Sequence, residues 1–277
     1  MAGASDGYET TQRKHGVKHA FFAAITAALT IATTSPLVTQ GRSFHAAHTL
    51  GSGASAGSAE VTLKYVQIVS APSAAARSSL SREVSKLILW DPFSPSQKAM
   101  AAASPQALAA DFFAAYWDYY SSSKRAGIFV DSFLLDRTVR ILSSGPHVIA
   151  LQMDETSDTG GAHLNRLTEF TNVDAQSGRV LSLNDLIAPG GRASFMQIAE
   201  RYFRRARGIP QTEPFSKDDL FFSIQRGVFV LPSAIGVAAD GLHFHYNTYE
   251  VASFADGPTD FTIPYVALVG IVRRDLP

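Results

Sequence analysis

The chain of 277 residues carries no formal net charge at pH 7, contains no cysteine, and is 46% hydrophobic. The balanced charge argues against a nucleic-acid-binding protein, because binding to phosphate normally requires a strong excess of basic residues. The lack of cysteine excludes a disulfide framework and a cysteine-linked lipid anchor. The hydrophobic content over this length is enough to build a proper core.

The chain opens with a segment typical of protein export. Arg13, Lys14 and Lys18 precede an apolar run without charged residues at positions 20–34. This run is shorter than the ~20 residues that a membrane-spanning helix needs, which favours a signal peptide. Because no clear cleavage site follows the run, an inner-membrane anchor is the alternative. Residues 1–41 are therefore predicted to be a signal peptide or N-terminal anchor, and the protein to be periplasmic or secreted, or else anchored and facing the periplasm.

The folded part is predicted to begin after a flexible linker at residues 42–59, whose second half is dominated by glycine, serine and alanine. From Glu60 onward, apolar and polar residues alternate as in a β-strand. Two helices are predicted next, the second with Ser104 as its N-cap and Pro105 in its first turn. Apolar residues recur at helical spacing in both: Leu80, Val84, Leu87 and Ile88 in the first, and Leu108, Phe112, Tyr116 and Tyr119 in the second.

The remaining chain mixes strand and helix patterns. A hairpin is predicted over residues 164–183, followed by Asn184 and Asp185 as a helix cap, and a longer helix is predicted to end at Gly208. Further strands are predicted at four places, residues 133–142, 148–154, 227–231 and 241–246. The predicted fold class is α+β, with antiparallel sheets and packed helices in two small lobes, residues 60–157 and 158–277.

Two stretches carry a family resemblance. The first contains GGAH at 160–163, SGR at 177–179 and LSLNDLI at 181–187, and the second is GLHFHYNTYEVASFADGPTDFTIPY at 241–265. In this order they resemble the extracellular domain of RsiV-type anti-sigma factors and PdaC-type peptidoglycan deacetylases. RsiV-type domains are similar to sensors that bind lysozyme, whereas the deacetylase activity of PdaC-type proteins belongs to a separate catalytic domain. The resemblance implies a domain of unknown function that recognises a lysozyme-like protein or cell-wall glycan.

A candidate binding surface is predicted where these two stretches meet. Its candidate residues are His163, Tyr246, Tyr249 and Glu250. The glycines at 160–161 turn the chain so that His163 stands at a strand end. Tyr249 offers ring area at low entropic cost, and Glu250 suits a basic partner. In the alternative interpretation the two residues are structural: the Tyr249 ring packs under the turn at 255–258, and the Glu250 carboxylate caps backbone N–H groups there.

Signals for catalysis or metal binding are sparse. Strand alternation puts His243 and His245 on one face at a spacing that a metal could bridge, with His163 and Glu250 as conceivable further ligands. Histidines on the wetter face of a strand are the ordinary outcome of that alternation. The sequence contains no cysteine nucleophile, zinc-protease motif or phosphate-binding loop. We therefore expect no catalytic residue, no bound metal and no cofactor.

The sequence as a whole favours an exported, non-catalytic recognition module of the cell envelope or periplasm. The competing interpretation is a peptidoglycan-acting hydrolase that uses carboxylates or a histidine-bound metal. The expected partners are a lysozyme-like protein or cell-wall glycan, and not nucleic acid. Contact with a membrane is expected only through an uncleaved N-terminal segment.

Overall fold

The computed structural model describes residues 35–51, 56–93, 101–128, 132–215 and 227–276. The predicted export segment at 20–34 lies outside these ranges. Among the described residues, no helix combines the length and the apolar character needed to cross a membrane. The described residues form two sheets, most of whose strand pairs are antiparallel, and four α-helices, which confirms the predicted α+β class.

A six-stranded sheet forms the centre of the fold, with its strands in chain order from one edge to the other. The strands are β1 Val38–Leu50, β2 Gly57–Ser70, β3 Phe133–Ser144, β4 Val148–Asp158, β5 Asn165–Asp174 and β6 Val180–Leu181. All neighbours are antiparallel except β2 and β3, which are parallel. A parallel pair needs a crossover connection, and this one contains helices α1 Ala74–Ile88 and α2 Pro105–Arg125. Both helices agree with the sequence prediction, including Ser104 as the N-cap of α2.

The linker predicted at 42–59 is replaced by strand pairing in the residues that the structure describes. Residues 42–50 belong to β1 and residues 57–59 to β2, and the two strands pair from Val38 to Leu50. The small residues serve close packing here rather than flexibility. A Cβ atom on Gly57 would stand 1.9 Å from the hydroxyl of Tyr116 on α2, and Ala59 is fully buried. Small side chains therefore let β2 lie against α2.

A second, three-stranded sheet contains β7 Ala234–Val237, β8 Gly241–Tyr246 and β9 Thr259–Pro264. Two helices precede it, α3 Leu183–Leu186 and α4 Arg192–Arg207, and α4 ends at Gly208 as predicted. The strand predicted at 227–231 is wrong, because the strand of this region is β7. Within the predicted stretch, the carbonyl oxygen of Val230 accepts a hydrogen bond from the Tyr246 hydroxyl at 2.6 Å.

Two hydrophobic cores share the strand β4. Ile149 and Leu151 belong to the core under α1 and α2, whereas Val148 and Ala150 belong to the core formed with α4 and the small sheet. All four side chains are fully buried. The predicted division between residues 157 and 158 therefore falls inside a strand, and β4 pairs with β5 across it. The predicted lobes are two sides of one compact unit, Thr34–Pro277.

A buried ion pair joins α1 to the large sheet. Arg137 on β3 is fully buried, and its Nε donates to Glu155 Oε2 on β4 at 2.8 Å. Its Nη1 donates to the carbonyl oxygens of Ile88 and Trp90 at 2.8 Å each, where α1 ends. The last carbonyls of a helix have no partner within the helix, so the guanidinium supplies one. Arg137 thereby fixes the end of α1 against β3 and β4.

The turn between β5 and β6 packs against the start of α1. Gly178 has a φ of +70°, and a Cβ atom there would stand 2.4 Å from the carbonyl oxygen of Ala75. The short helix α3 is capped by Ser182 rather than by the predicted Asn184 and Asp185. The Asp185 carboxylate accepts hydrogen bonds from the Ser182 backbone N–H and hydroxyl at 2.8 and 2.6 Å. These hydrogen bonds and the nearby Arg179 hold the pKa of Asp185 well below its usual range.

Candidate functional site

Three rings from two distant segments meet at the surface. The Nε2 atom of His163 lies 2.8 Å from the Tyr249 hydroxyl, within hydrogen-bonding distance. The His163 ring also stacks on Phe254, with centroids 3.4 Å apart and an interplanar angle of 13°. Tyr249 and Phe254 are neighbours in turn, with ring centroids 6.1 Å apart. We call these residues, His163, Tyr249 and Phe254, the three-ring cluster.

The loop that carries His163 is held by a hydrogen bond to Asp158 and by its contact with α2. Gly160 has a φ of +80°, and its backbone N–H donates to the Asp158 carboxylate at 3.0 Å. A Cβ atom at Gly160 would stand 2.7 Å from the Tyr119 ring of α2. Glycine is therefore required both for the turn and for its close approach to α2. The paired glycine thus presents His163 as the sequence predicted.

Tyr249 occupies an unfavourable backbone conformation. Its φ is +68°, and among the described residues it is the one residue other than glycine with a positive φ. The left-handed conformation costs an L-residue with a bulky side chain roughly 1–2 kcal/mol. The residue is nevertheless 54% exposed, so burial of its ring in the core does not account for the strain. Backbone strain of this kind concentrates at functional sites.

The Glu250 carboxylate caps two backbone N–H groups. Its Oε1 accepts a hydrogen bond from the Ser233 N–H at 3.1 Å, and its Oε2 accepts one from the Asn247 N–H at 2.9 Å. Asn247 in turn bonds the backbone of Thr168 on β5 through its side-chain amide, at 2.7 and 3.1 Å. The capping role that the alternative interpretation gave Glu250 is present, although the capped groups belong to Ser233 and Asn247 and not to the turn at 255–258.

Tyr246 is placed in the core. Its side chain is 1% exposed and packs 5.0 Å from the Phe203 ring of α4. Burial, with a smaller contribution from the nearby Glu250 charge, raises the pKa of the Tyr246 phenol. Of the four predicted binding residues, the structure therefore joins His163 and Tyr249 at the surface and assigns Tyr246 and Glu250 to the interior and to the loop backbone.

His243 and His245 lie on the same face of β8, as the alternation predicts, while Leu242, Phe244 and Tyr246 are buried on the other. Each histidine pairs with one carboxylate, His243 with Asp240 at 2.7 Å and His245 with Asp260 at 2.6 Å. The conceivable further ligand His163 bonds Tyr249 in the three-ring cluster instead. Across the described ranges, no set of three or more histidine and acidic side chains is arranged to hold a metal ion.

Both histidines line a cleft between the two sheets that the sequence did not reveal. The cleft has a volume of about 660 Å³. One wall comes from β3, β4 and β5 and the other from β8 and β9, and the lining residues are Arg140, Leu142, Gln152, Asp154, Thr168, Phe170, His243, Phe244, His245, Asp260, Phe261 and Thr262. The lining residues Arg140 and Thr262 are 122 positions apart in the chain (262 − 140), and no local sequence pattern indicates that the two walls meet. Phe254 of the three-ring cluster was likewise missed, since it lies just before the predicted turn at 255–258 and no local pattern marked it as a site residue.

Residues 184–266 match a family model described as "Protein of unknown function (DUF3298)". A crystal structure of a DUF3298 family protein from Pseudomonas aeruginosa PAO1 is similar with a TM-score of 0.60 and 19% identity, over 88% of this chain and 97% of that chain. A member of the same family from Bacteroides fragilis NCTC 9343 is similar with a TM-score of 0.65 and 17% identity, over 87% of this chain and 96% of that chain. A search of curated proteins gives no match.

These comparisons bear on the fold and on one segment of the chain. At identities below one in five, the two crystal structures support the fold, and the matching segment runs from α3 to β9. The predicted resemblance is confirmed at the level of a domain of unknown function. That family description names no reaction, so no catalytic class is indicated.

Proposed function

We propose that this protein is an exported, non-catalytic recognition module of the RsiV type, which binds a lysozyme-like protein in the cell envelope through the three-ring cluster. The observation that carries the proposal is Tyr249, a strained and exposed aromatic residue held in place by His163. Tyrosine is enriched among the residues that dominate binding energy at protein interfaces. A side chain kept at a cost in backbone energy and left open to solvent is a candidate anchor for a partner.

The surroundings of Tyr249 supply the rigidity that an interface anchor requires. Hydrogen bonds of the Glu250 and Asn247 side chains hold the turn at residues 247–250, which carries Tyr249, and Asn247 connects this turn to β5. Phe254 is 36% exposed and covers the face of the His163 ring. The cluster is therefore ordered before a partner arrives, which lowers the entropic cost of association. Cell-wall glycan is the other partner that the sequence suggested.

The predicted export can be tested by determining where the producing cells place the protein. The basic residues Arg13, Lys14 and Lys18 before the apolar run at 20–34 lead us to expect the protein in the periplasm or the medium. Fractionation of the producing cells, followed by sequencing of the mature N-terminus, measures this directly. Recovery of the full-length chain as soluble cytoplasmic protein would rule out export.

Replacing Tyr249 by glycine separates binding from folding. Glycine adopts the observed φ of +68° without strain, and the relief of ~1 kcal/mol offsets the loss of the ring contacts. We expect the melting temperature to change by less than about 4 °C, while binding to immobilised lysozyme falls at least tenfold. Biolayer interferometry and differential scanning calorimetry on the same preparation measure the two effects.

Trp117→Ala is the matched control, because Trp117 on α2 is also 54% exposed and lies outside the three-ring cluster. Its loss should leave lysozyme binding unchanged. A melting temperature that collapses in Tyr249→Gly would mean that Tyr249 maintains the fold and is not a binding residue. Equal binding by wild type and Tyr249→Gly would reject the cluster as the site.

The competing hydrolase hypothesis predicts turnover. Purified protein incubated with peptidoglycan, with and without added zinc, should release neither fragments nor acetate if the module is non-catalytic. Turnover that is abolished by His243→Ala or His245→Ala would overturn the proposal in favour of a histidine-dependent hydrolase.

A further inference from the structure

The cleft between the two sheets combines features that point to a ligand of its own. Its volume of about 660 Å³ lies within the ~300–1,000 Å³ that is typical of small-molecule sites. Polar side chains stand on both walls, and the rings of Phe170 and Phe261 are partly exposed between them. Neither Tyr249 nor any other residue of the three-ring cluster lines the cleft.

The charges of the cleft are paired with one another. Arg140 Nε lies 3.7 Å from the Asp154 carboxylate, and His245 lies 2.6 Å from Asp260. A phosphate or another strongly anionic group would require a basic side chain that is not already matched by an acid, or a helix N-terminus. The lining residues offer neither, since Arg140 is their one arginine or lysine. The electrostatics therefore favour a neutral ligand.

The polar groups of the first wall are held in fixed positions. The Asp154 carboxylate accepts hydrogen bonds from Gln152 Nε2 at 2.9 Å and from Thr168 Oγ1 at 3.0 Å. A carboxylate has about four acceptor positions, so Asp154 retains capacity for a hydroxyl donor, and the Gln152 carbonyl is a further acceptor. On the opposite wall the histidine rings and the Thr262 hydroxyl offer donors and acceptors.

We infer that this cleft binds a neutral, polyhydroxylated ring ligand, which is the chemistry of a saccharide. Hydroxyl groups both donate and accept, so they match walls that mix carboxylates, an amide, imidazoles and hydroxyls. The apolar face of a sugar ring suits the partly exposed rings of Phe170 and Phe261. The inference concerns a second site and does not depend on protein binding by the three-ring cluster.

The histidines provide a direct probe. In the purified full chain, titration with chitotetraose is followed by the ¹H–¹³C signals of the imidazole rings. We expect the signals of His243 and His245 to shift and to saturate. The signals of His45 and His48 on β1 should stay in place, because both residues lie outside the cleft. Cellotetraose in a second titration tests whether the acetamido group is needed, and shifts with either sugar support the saccharide site.

Variants on the two walls locate the site. Asp154→Ala and His243→Ala should each weaken chitotetraose binding about tenfold, as expected for the loss of a hydrogen bond to a charged or polar partner. His45→Ala is the matched control, since His45 is an exposed histidine with a hydroxyl neighbour, Thr62, and should leave affinity unchanged. Tyr249→Gly should also leave it unchanged, which keeps this result independent of the lysozyme experiment.

Two results would overturn the inference. The first is the absence of shifts at His243 and His245 with either neutral sugar up to about 10 mM, a concentration at which even a millimolar site is mostly occupied. The second is binding of tetragalacturonate in preference to the neutral sugars, which would assign the cleft to anions. Since the wild-type titration decides both, a wall variant that fails to fold does not obscure the outcome.

Discussion

Replacing Arg137 by methionine is expected to lower the melting temperature by roughly 6–20 °C. Arg137 is fully buried beside Glu155, which is 8% exposed, and its Nη1 donates to two carbonyl oxygens at the end of α1. Removing one partner of a buried ion pair leaves the other charge without compensation, at a cost of ~3–5 kcal/mol. For a domain of this size each kcal/mol corresponds to ~2–4 °C. Thermal unfolding followed by circular dichroism measures the loss.

Arg140→Met on the same strand is the control. Arg140 also pairs with an acid of β4, Asp154, but its side chain is 49% exposed and the ion pair is 3.7 Å long. Exposed pairs contribute ~0–1 kcal/mol, so the melting temperature should change by only a few degrees. In the double variant Arg137→Met with Glu155→Leu, part of the lost stability should return, because no buried charge remains. Equal effects of Arg137→Met and Arg140→Met would refute the structural role of the buried pair.

A second large loss is expected from Gly178→Ala. The positive φ of +70° costs an alanine ~1–2 kcal/mol, and its Cβ atom would stand 2.4 Å from the carbonyl oxygen of Ala75. Backbone of a helix cannot move away as a flexible side chain can, so α1 or the β5–β6 turn must shift. From the backbone strain and the steric contact together, we expect the free energy of unfolding to fall by ~3 kcal/mol or more, as measured by urea denaturation.

Gly208→Ala isolates the conformational part of this effect. Gly208 has nearly the same φ of +69° at the end of α4, but a Cβ placed there meets no atom within 4 Å from other parts of the fold. Its replacement should cost only ~1–2 kcal/mol. If both substitutions cost the same, the contact between the β5–β6 turn and α1 is not what requires glycine at residue 178.

Local patterns were enough to predict most elements of the fold. The Ser104-Pro105 start of α2 and the alternation of β8 are encoded within a few residues, and the structure reproduces both. The hairpin of β1 with β2 was missed because Gly57 and Ala59 are small for the sake of packing on α2, and composition alone makes such residues resemble a linker. Val228 and Val230 resembled a strand, although pairing is decided by neighbours that the local sequence does not show.

The candidate site shows the same limit. The two signature stretches led to the prediction that His163 and Tyr249 lie together, and the structure places their atoms 2.8 Å apart. Tyr246 was misjudged although strand alternation sets it on the face of β8 opposite the histidines; its ring is buried, and its hydroxyl donates to the Val230 carbonyl oxygen. The cleft could not be predicted from local patterns, since its two walls come from different sheets whose strands are distant in the chain.

The sharing of β4 between two cores also constrains how the length of this protein can vary. Successive side chains of a strand point to opposite faces, so one inserted or deleted residue exchanges the faces of everything beyond it. In β4 such a shift would turn Ile149 and Leu151 toward the core of α4 and turn Val148 and Ala150 toward the core of α1 and α2. In a sheet with one solvent-exposed face, such a shift would disrupt only the single core on the other face. Here both would be lost at once, so length changes are tolerated in the loops around β4 and not within it.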